Sequence, residues 1–558
     1  MGWLHKLDLH AYSPQGAKRP QSPGIPSSLI RPIFLGRPST SVMTVHPTTD
    51  QCTKHALHDM GLQRDVEEKT TASGSGVAGV ASSRQSECEI LPEIDWTDGE
   101  EAKARRKVDR TVLPLLCIGF LVFQFDRMNL ASALTDGFAD YVKIDQDTIN
   151  LGNQLLFLGT VALEIPSNML LQKIGPRKWL TLQVMLFGVV GILQILVHNR
   201  AGYIASRLGL GLAESGYIPG SIYTISTWYT KKERARRVAI FFFGMFGGNA
   251  VSPLFASGIL KLGGMRGLRG WQWLFLIEGL LTLCIALCFF LLLPGSPDLP
   301  RPLAGRGLVR FTHRERHILE KRLERDDERR RNAKGMHIPL SLVWKTVKHY
   351  RRWPHFVSTF CVFSTWSPLT TYTPSIIMSL GFDRITANAL SAVGGSLALV
   401  VVFVFAYLSD KTNQRGLSVM GAQLCLLIVL IVARSIHNHV GKWSHYVLWT
   451  IINAFSVGYH PVHNTWLQLN CREAEERSIS IAMWVMSANT GMMAGTWYYR
   501  APDKPSFYNK GLRTQIIMVG IGFVFAAIQE GIYLVHNKRV EEGKHEVPEG
   551  KKARVYVP

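Results

Sequence analysis

The chain has 558 residues, 47% hydrophobic and 18% charged, with a formal net charge of +21 and a mean hydropathy of +0.09. Those averages suit a soluble protein, but between Thr111 and Val535 the apolar residues gather into runs of about 20, enough to cross a bilayer's hydrocarbon core. This distribution excludes a soluble multidomain enzyme. It also argues against nucleic-acid binding, which needs a basic patch on a folded soluble surface.

Residues 1–110 are rich in Ser, Pro, Gly and Thr, as in "SPGIPSSLI" and "TASGSGVAGVASS", and read as a disordered cytoplasmic tail. No apolar h-region with a cleavage site is present, so no signal peptide is expected. The first 49 residues are basic and poor in acids, which weakly resembles a transit peptide; an upstream extension before Met43 or Met60 is the other reading. Twelve spans follow. The first six are 111–133, 148–172, 178–198, 202–225, 236–260 and 271–293. A polar loop occupies 294–352. The second six are 353–380, 386–408, 416–437, 443–467, 478–499 and 513–535, followed by a tail at 536–558. Six spans, a long polar loop and six more is the organisation of a two-half transporter.

Basic residues concentrate in the N-tail, in the five positions at 103–110 beside the first span, and in the central loop. That bias puts both termini and the central loop in the cytoplasm. The run "RHILEKRLERDDERRR" (316–331) reads as a solvated loop helix, with anionic lipid headgroups as an alternative partner. Of eight cysteines, five lie in apolar runs, where cysteine packs as a small hydrophobe. Cys284 and Cys288 share a helix face without a nearby histidine or acid, so neither a metal nor a cofactor is expected. No nucleophile–base constellation suggests an enzyme.

Ionisable groups at bilayer depth are costly and are functional candidates for that reason. The first span holds Asp126, Arg127 and Asn129, the second Gln154, Glu164 and Asn168, the fourth Arg207 and Glu214, and the sixth Glu278. The tenth holds Asn453, His460, His463 and Asn464, and the eleventh Asn489. Arg207 and Glu214 share one helix face about 10 Å apart, too far to pair along the helix. Each can reach another helix, where Asp126 and Arg127 are available. Two carboxyls and two guanidiniums fit either proton-coupled anion transport or an ion-pair network that locks helices together. Glu164 in "EIPSN" reads as structural or gating, Glu278 in "LIEG" as a helix contact, and the two histidines as interface residues. Asn489 reads as a substrate contact or a packing residue, and Arg434 as a snorkelling side chain.

Taken in order, "DRMNLASAL", "EIPSNMLLQKIGPRKWL", "RLGLGLAESGYIPGSIYTISTWY", "ERARRVAIFFFG", "GWQWLFLIEG", "LPGSP", "LSDKTNQRG" and "YYRAPDKPSFYNKG" resemble the major facilitator superfamily. Within it they look like the anion:cation symporter family, fungal allantoate permease branch, over nearly all of 111–535. The resemblance implies an all-α membrane protein of twelve transmembrane helices in two pseudo-symmetric six-helix bundles, 111–293 and 353–535. It implies protons taken up by Asp126 and Glu214, and substrate held by Arg127 and Arg207 with Asn129 and Asn489. The cytoplasmic gating motif is represented by Lys173, Arg177 and Lys178 without its usual acid, and in a fuller second copy by Asp410, Lys411 and Arg415. "GNAVSPLFASG" in the fifth span partly resembles the proton-antiporter motif, with Ser252 in place of the glycine before Pro253; a proline kink with close packing is its other reading. The expected function is proton-coupled symport of a small organic anion (carboxylate, vitamin or ureide) by a monomer in the plasma membrane. The alternatives are a proton-antiport exporter of a secondary metabolite and a non-transporting nutrient sensor.

Overall fold

The computed structural model describes residues 95–304, 309–326, 340–436, 440–471, 474–542 and 555–558. The tail expected to be disordered therefore lies outside the described residues up to position 94, as do 327–331 of the basic run. Among the described residues there is helix and no strand. The first half contains α1 (Asp98–Thr135), α2 (Gln146–Ile174), α3 (Pro176–Leu193), the broken pair α4 (Arg200–Glu214) and α5 (Tyr217–Trp228), then α6 (Lys231–Ile259) and α7 (Gly270–Leu292). The connecting segment contains α8 (His313–Asp326) and α9 (Leu340–Val347). The second half contains α10 (Trp353–Ser379), α11 (Arg384–Thr412), α12 (Arg415–Ile436), the broken pair α13 (Lys442–Phe455) and α14 (His460–Leu469), then α15 (Ala474–Gly495) and α16 (Asn509–Glu541). Eight of these crossings are long and apolar enough to span a bilayer on their own. The two broken crossings, the Ser/Thr-rich α10 and α15 are outside that set. Asp98 and Glu541 lie on one side of the bundle, here the terminal face.

The halves repeat one packing scheme. In the first, α1 packs on α6, α3 on α7 and α2 on α4; in the second, α10 packs on α15, α12 on α16 and α11 on α13. These are the same pairs when each half is counted from its own first crossing. Between the halves α6 lies along α11 and α2 along α15, two contacts that the same pseudo-symmetry exchanges. Glycine sets the closest approaches in both copies. A Cβ at Gly244 of α6 would overlap the Cys117 carbonyl of α1, and one at Gly495 of α15 would overlap the Ser364 carbonyl of α10. Small residues at such crossings let backbones meet, which supplies packing that lipid cannot. Large apolar side chains instead cover the outside, among them Leu287, Val400, Ile428 and Val524.

Two expectations need correction. Helix α1 begins well before residue 111. Thr97 caps it: its hydroxyl accepts from Glu100 N at 3.3 Å, and Glu100 Oε2 accepts from Thr97 N at 3.0 Å. This reciprocal cap satisfies donors that the first turn leaves open. Residues 98–110 are thus helix, not tail. The basic helix α8 is also not simply solvated. Ile318, Leu319 and Leu323 recur at helical spacing among its charges and are buried. Arg322, also buried, donates to the Trp228 carbonyl at 2.9 Å and pairs with Glu233 at 3.3 Å. Glu233 pairs with Arg105 at 2.8 Å, and Lys107 with Glu315 at 2.6 Å. The connecting helix is in this way bolted to the first half at the terminal face.

Residues 555–558 return to the second half. Asn537 exchanges two hydrogen bonds with the Tyr556 backbone, both 2.8 Å, and Asn470 exchanges two with Val557 at 2.9 and 3.0 Å. Tyr556 stacks on Tyr533 at 4.6 Å.

Candidate functional site

The fourth crossing is interrupted where side chains replace helical backbone bonding. In the fourth, Gly216 takes φ +81°, a left-handed conformation that glycine adopts without steric cost. Ser215 donates to the Thr160 carbonyl at 2.8 Å, and its own carbonyl accepts from Ser167 at 2.8 Å and from Gln183. The tenth crossing breaks between Phe455 and His460. Glu214 is the last residue of α4, so the break fixes its position at mid-membrane depth, where discontinuous helices of transporters hold their ligands.

A central cavity of about 490 Å³, including its open mouth, lies between the halves. Arg127 and Gln124 of α1, Asn153 and Phe157 of α2, and Arg207 of α4 line it from one side; Trp366 and Thr371 of α10 line it from the other, with Met492 of α15. Arg127 Nε donates to Glu214 Oε2 at 2.7 Å, and the Glu214 side chain is fully buried. The Arg127 guanidinium also rests 4.5 Å from the Phe123 ring centre and 5.6 Å from that of Phe157, a cation–π setting. Arg207 donates from Nη2 to Asn153 Oδ1 at 2.7 Å, and Asn153 donates onward to Thr371 Oγ1 at 3.1 Å. Nε and Nη1 of Arg207 and Nη2 of Arg127 are buried without a hydrogen-bond partner. Two guanidiniums with unused donors at the wall of one cavity have the donor chemistry to accept an anion.

Of the residues singled out from sequence, Arg127 and Arg207 line this cavity, and Glu214 stands behind Arg127. Asp126 and Asn129 do not line it. They occupy the side of α1 turned to α3 and α7, beside Gly191, Glu278 and Thr282. Asn489 is buried on α15 one turn from Met492 and is outside the lining. Lys173 and Lys178 are exposed at the terminal face. Arg177 donates to the Arg301 and Pro302 carbonyls at 2.7 and 3.2 Å. Arg415 pairs with Asp410 at 2.5 Å within the second half, and Lys411 is exposed. The sequence reading passed over Gln124, Asn153 and Thr371. The "GNQ" and "LTTY" strings in apolar runs were the available signal.

Polar bonds between the halves gather on the face opposite the termini. Gln146 and Asn150 each donate to the Tyr499 carbonyl at 3.1 Å, and Tyr372 donates to Asn150 Oδ1 at 2.6 Å. Asn388 donates to Thr135 at 2.8 Å, and Arg384 pairs with Asp136. Deeper toward the terminal side the halves meet through aromatic packing, with Phe242 and Phe246 of α6 against His460 at 5.3 and 6.0 Å. His463 belongs to a buried chain: its Nε2 lies 3.0 Å from His355 Nδ1, and His355 Nε2 lies 3.0 Å from the Tyr533 hydroxyl.

The chain is similar to an uncharacterized transporter of Saccharomyces cerevisiae, 28% identical over 449 residues, which covers 80% of this chain and 82% of the relative. Among solved structures, a bacterial homologue of the human lysosomal transporter Spinster, in an inward-facing and occupied conformation, is similar with a TM-score of 0.55 at 16% identity, covering 78% of this chain and 98% of that one. The D-xylose-proton symporter is similar with a TM-score of 0.56 at 13% identity, covering 75% and 96%. At such identities the likeness shows the fold. The family profile described as Major Facilitator Superfamily matches residues 116–496, more than half of the chain, and the chain belongs to that superfamily of membrane transporters.

Proposed function

We propose that the protein is a proton-coupled symporter that imports a small organic anion by alternating access, as a member of the anion:cation symporter family in its fungal allantoate permease branch. The observation that carries this reading is the 2.7 Å pair between Arg127, on the cavity wall, and Glu214, buried behind it. A substrate carboxylate and the Glu214 carboxylate compete for the same guanidinium. A proton on Glu214 releases Arg127 to the substrate, and Arg207 supplies the second cation. Proton and anion are thereby bound together, and the loaded cavity is neutral enough to reorient. An unloaded cavity keeps Arg127 paired with Glu214 inside the first half.

The protein acts in the plasma membrane as a monomer with both termini in the cytoplasm. In that orientation the bonds among Gln146, Asn150, Tyr372 and Tyr499 close the outer side, and the molecule faces inward. Lys173, Arg177 and Lys178 then close against Asp410, Lys411 and Arg415 when it turns outward.

The test is uptake of a panel of mass-tagged carboxylates, vitamins and ureides by expressing cells, wild type against Glu214→Gln, at acidic and neutral pH, with and without a protonophore. One compound whose uptake is acid-stimulated, protonophore-sensitive and lost in the variant is the expected result. Uptake by Glu214→Gln with unchanged pH dependence overturns the proton role of that residue. Efflux from preloaded cells without uptake overturns import.

A further inference from the structure

The two walls of the central cavity differ in kind. On the first-half wall the unpartnered polar atoms are donors: Arg127 Nη2 and Arg207 Nε and Nη1 are buried without a hydrogen-bond partner. The other polar side chains of the lining are largely committed to the protein itself. Asn153 Oδ1 accepts from Arg207 at 2.7 Å, and its amide nitrogen donates to Thr371 at 3.1 Å. Thr371 and Thr370 both donate to the Ser367 carbonyl, at 3.2 and 2.8 Å. Gln124 gives its amide nitrogen to Asn249 at 2.7 Å and keeps a carbonyl oxygen as acceptor. Much of the remaining lining is apolar and aromatic: Phe120, Phe123, Phe157 and Met245 from the first half, Trp366 and Met492 from the second. None of the second-half lining residues is charged. The Arg127 guanidinium lies 4.5 Å from the Phe123 ring centre and 5.6 Å from that of Phe157, so an anion drawn to it arrives among aromatic rings.

We infer that the cavity takes a monocarboxylate with an apolar aromatic body, its carboxylate on Arg127 and Arg207 and its ring against Trp366, Met245 and Met492. This rests on the symport reading for the anion and narrows its substrate. A carboxylate offers acceptors only, which matches the donors left over on the two guanidiniums. A flat ring suits the rest of the lining: it meets Trp366 by stacked or edge contact and the methionine sulfurs at its rim. Ureides, one of the classes expected from sequence, and sugar acids do not fit. They carry N–H or O–H donors along their whole length, and against Trp366 and Met492 those donors have nothing to bond. Each donor buried unpaired weakens binding about ten- to hundredfold. A second carboxylate at the far end of the ring meets a wall without a cation and is excluded for the same physical reason.

The test is equilibrium binding to the full chain in lipid nanodiscs, read as the rise in Tm with ligand concentration, at acidic and neutral pH. The probes are phenylacetate and benzoate, the uncharged phenylacetamide, 4-carboxyphenylacetate with its second carboxylate across the ring, allantoate as a ureide, and gluconate. Phenylacetate and benzoate are expected to stabilise the protein, and the other four are not. Trp366→Ala should weaken phenylacetate about tenfold, and Trp366→Phe, which keeps a ring there, should restore most of that loss. No stabilisation by either aromatic monocarboxylate overturns the inference. So does stabilisation by allantoate, gluconate or 4-carboxyphenylacetate equal to that by phenylacetate, or unchanged phenylacetate binding in Trp366→Ala. Should Trp366→Ala fail to fold, the wild-type probe series decides alone. Phenylacetate binding that is the same at both pH values leaves the substrate class standing and removes proton coupling. Acid-favoured binding of allantoate in its place leaves coupling standing and removes the class.

Discussion

The pair between Arg127 and Glu214 yields a prediction that separates a charged glutamate from a neutral one. Glu214 is fully buried, its Oε2 accepts from Arg127 at 2.7 Å, and its Oε1 has no hydrogen-bond partner. Removing the cation by Arg127→Gln strands that carboxylate. Breaking a buried pair from one side costs about 3–5 kcal/mol, because the remaining charge is uncompensated. Removing the anion by Glu214→Gln is milder. The amide oxygen still accepts from Arg127, the guanidinium keeps its two aromatic neighbours, and it borders a cavity that water can enter. What is lost is the charge assistance of one hydrogen bond, about 1 kcal/mol. The double variant removes both charges and is expected to recover about 2 kcal/mol relative to Arg127→Gln alone.

The assay is thermal unfolding of purified protein in nanodiscs at neutral pH, followed by intrinsic fluorescence. The expected order of Tm is wild type, then Glu214→Gln, then the double variant, then Arg127→Gln. Equal losses for the two single variants, with simple additivity in the double, would refute the reasoning. That result means Glu214 is already neutral at rest and does not hold Arg127 by charge, and substrate and proton then have no shared guanidinium to compete for.

Gly211→Ala places a Cβ on the Leu156 carbonyl where α4 crosses α2; overpacking of this kind costs about 1–3 kcal/mol, so a lowered Tm and reduced folded yield are expected. At the terminal face, burial raises the Glu233 carboxyl, but Arg322 and Arg105 outweigh it and hold the group below its ordinary value of 4.5. The linked stability is complete above about pH 4.5 and is lost as pH falls through the lowered value. Glu233→Gln should therefore unfold below wild type at neutral pH, with the gap closing on acidification; a pH-independent gap would refute it. Asn470→Ala removes both bonds to Val557. At about 1 kcal/mol each, exchange of the Val557 amide should quicken roughly thirtyfold, measured by hydrogen–deuterium exchange.

Eight crossings were legible from apolar length alone and the other four from their place in a regular order, and most boundaries fall within a few residues of the helices observed. What the sequence hid was continuity across polarity. The residues at 98–110 look like tail because they are charged, yet a Thr97–Glu100 cap and ion pairs to the connecting segment make them helix. Residues 318–323 carry an apolar stripe narrow enough to be masked by the surrounding arginines. Neither case could be settled without knowing that the two segments meet.

For the site, residue type was legible and direction was not. Asp126 and Arg127 are neighbours in "FDRMN", and the sequence reading placed both in one cavity. On a helix, consecutive residues point about 100° apart, so a helix wedged between a cavity and its own bundle presents one to each. Arg127 faces the cavity and Asp126 faces α3 and α7. The same geometry explains why Glu278 read as an ordinary helix contact. It lies five crossings along the chain from Asp126, and only the packing of α7 on α1 and α3 brings it to that side of α1. If coupling used cavity residues alone, Asp126 could be replaced by asparagine without touching the charge of any other group. Asp126→Asn should then leave acid-stimulated uptake as in wild type, and loss of the pH dependence in a variant that still folds would mean that coupling reaches beyond the cavity.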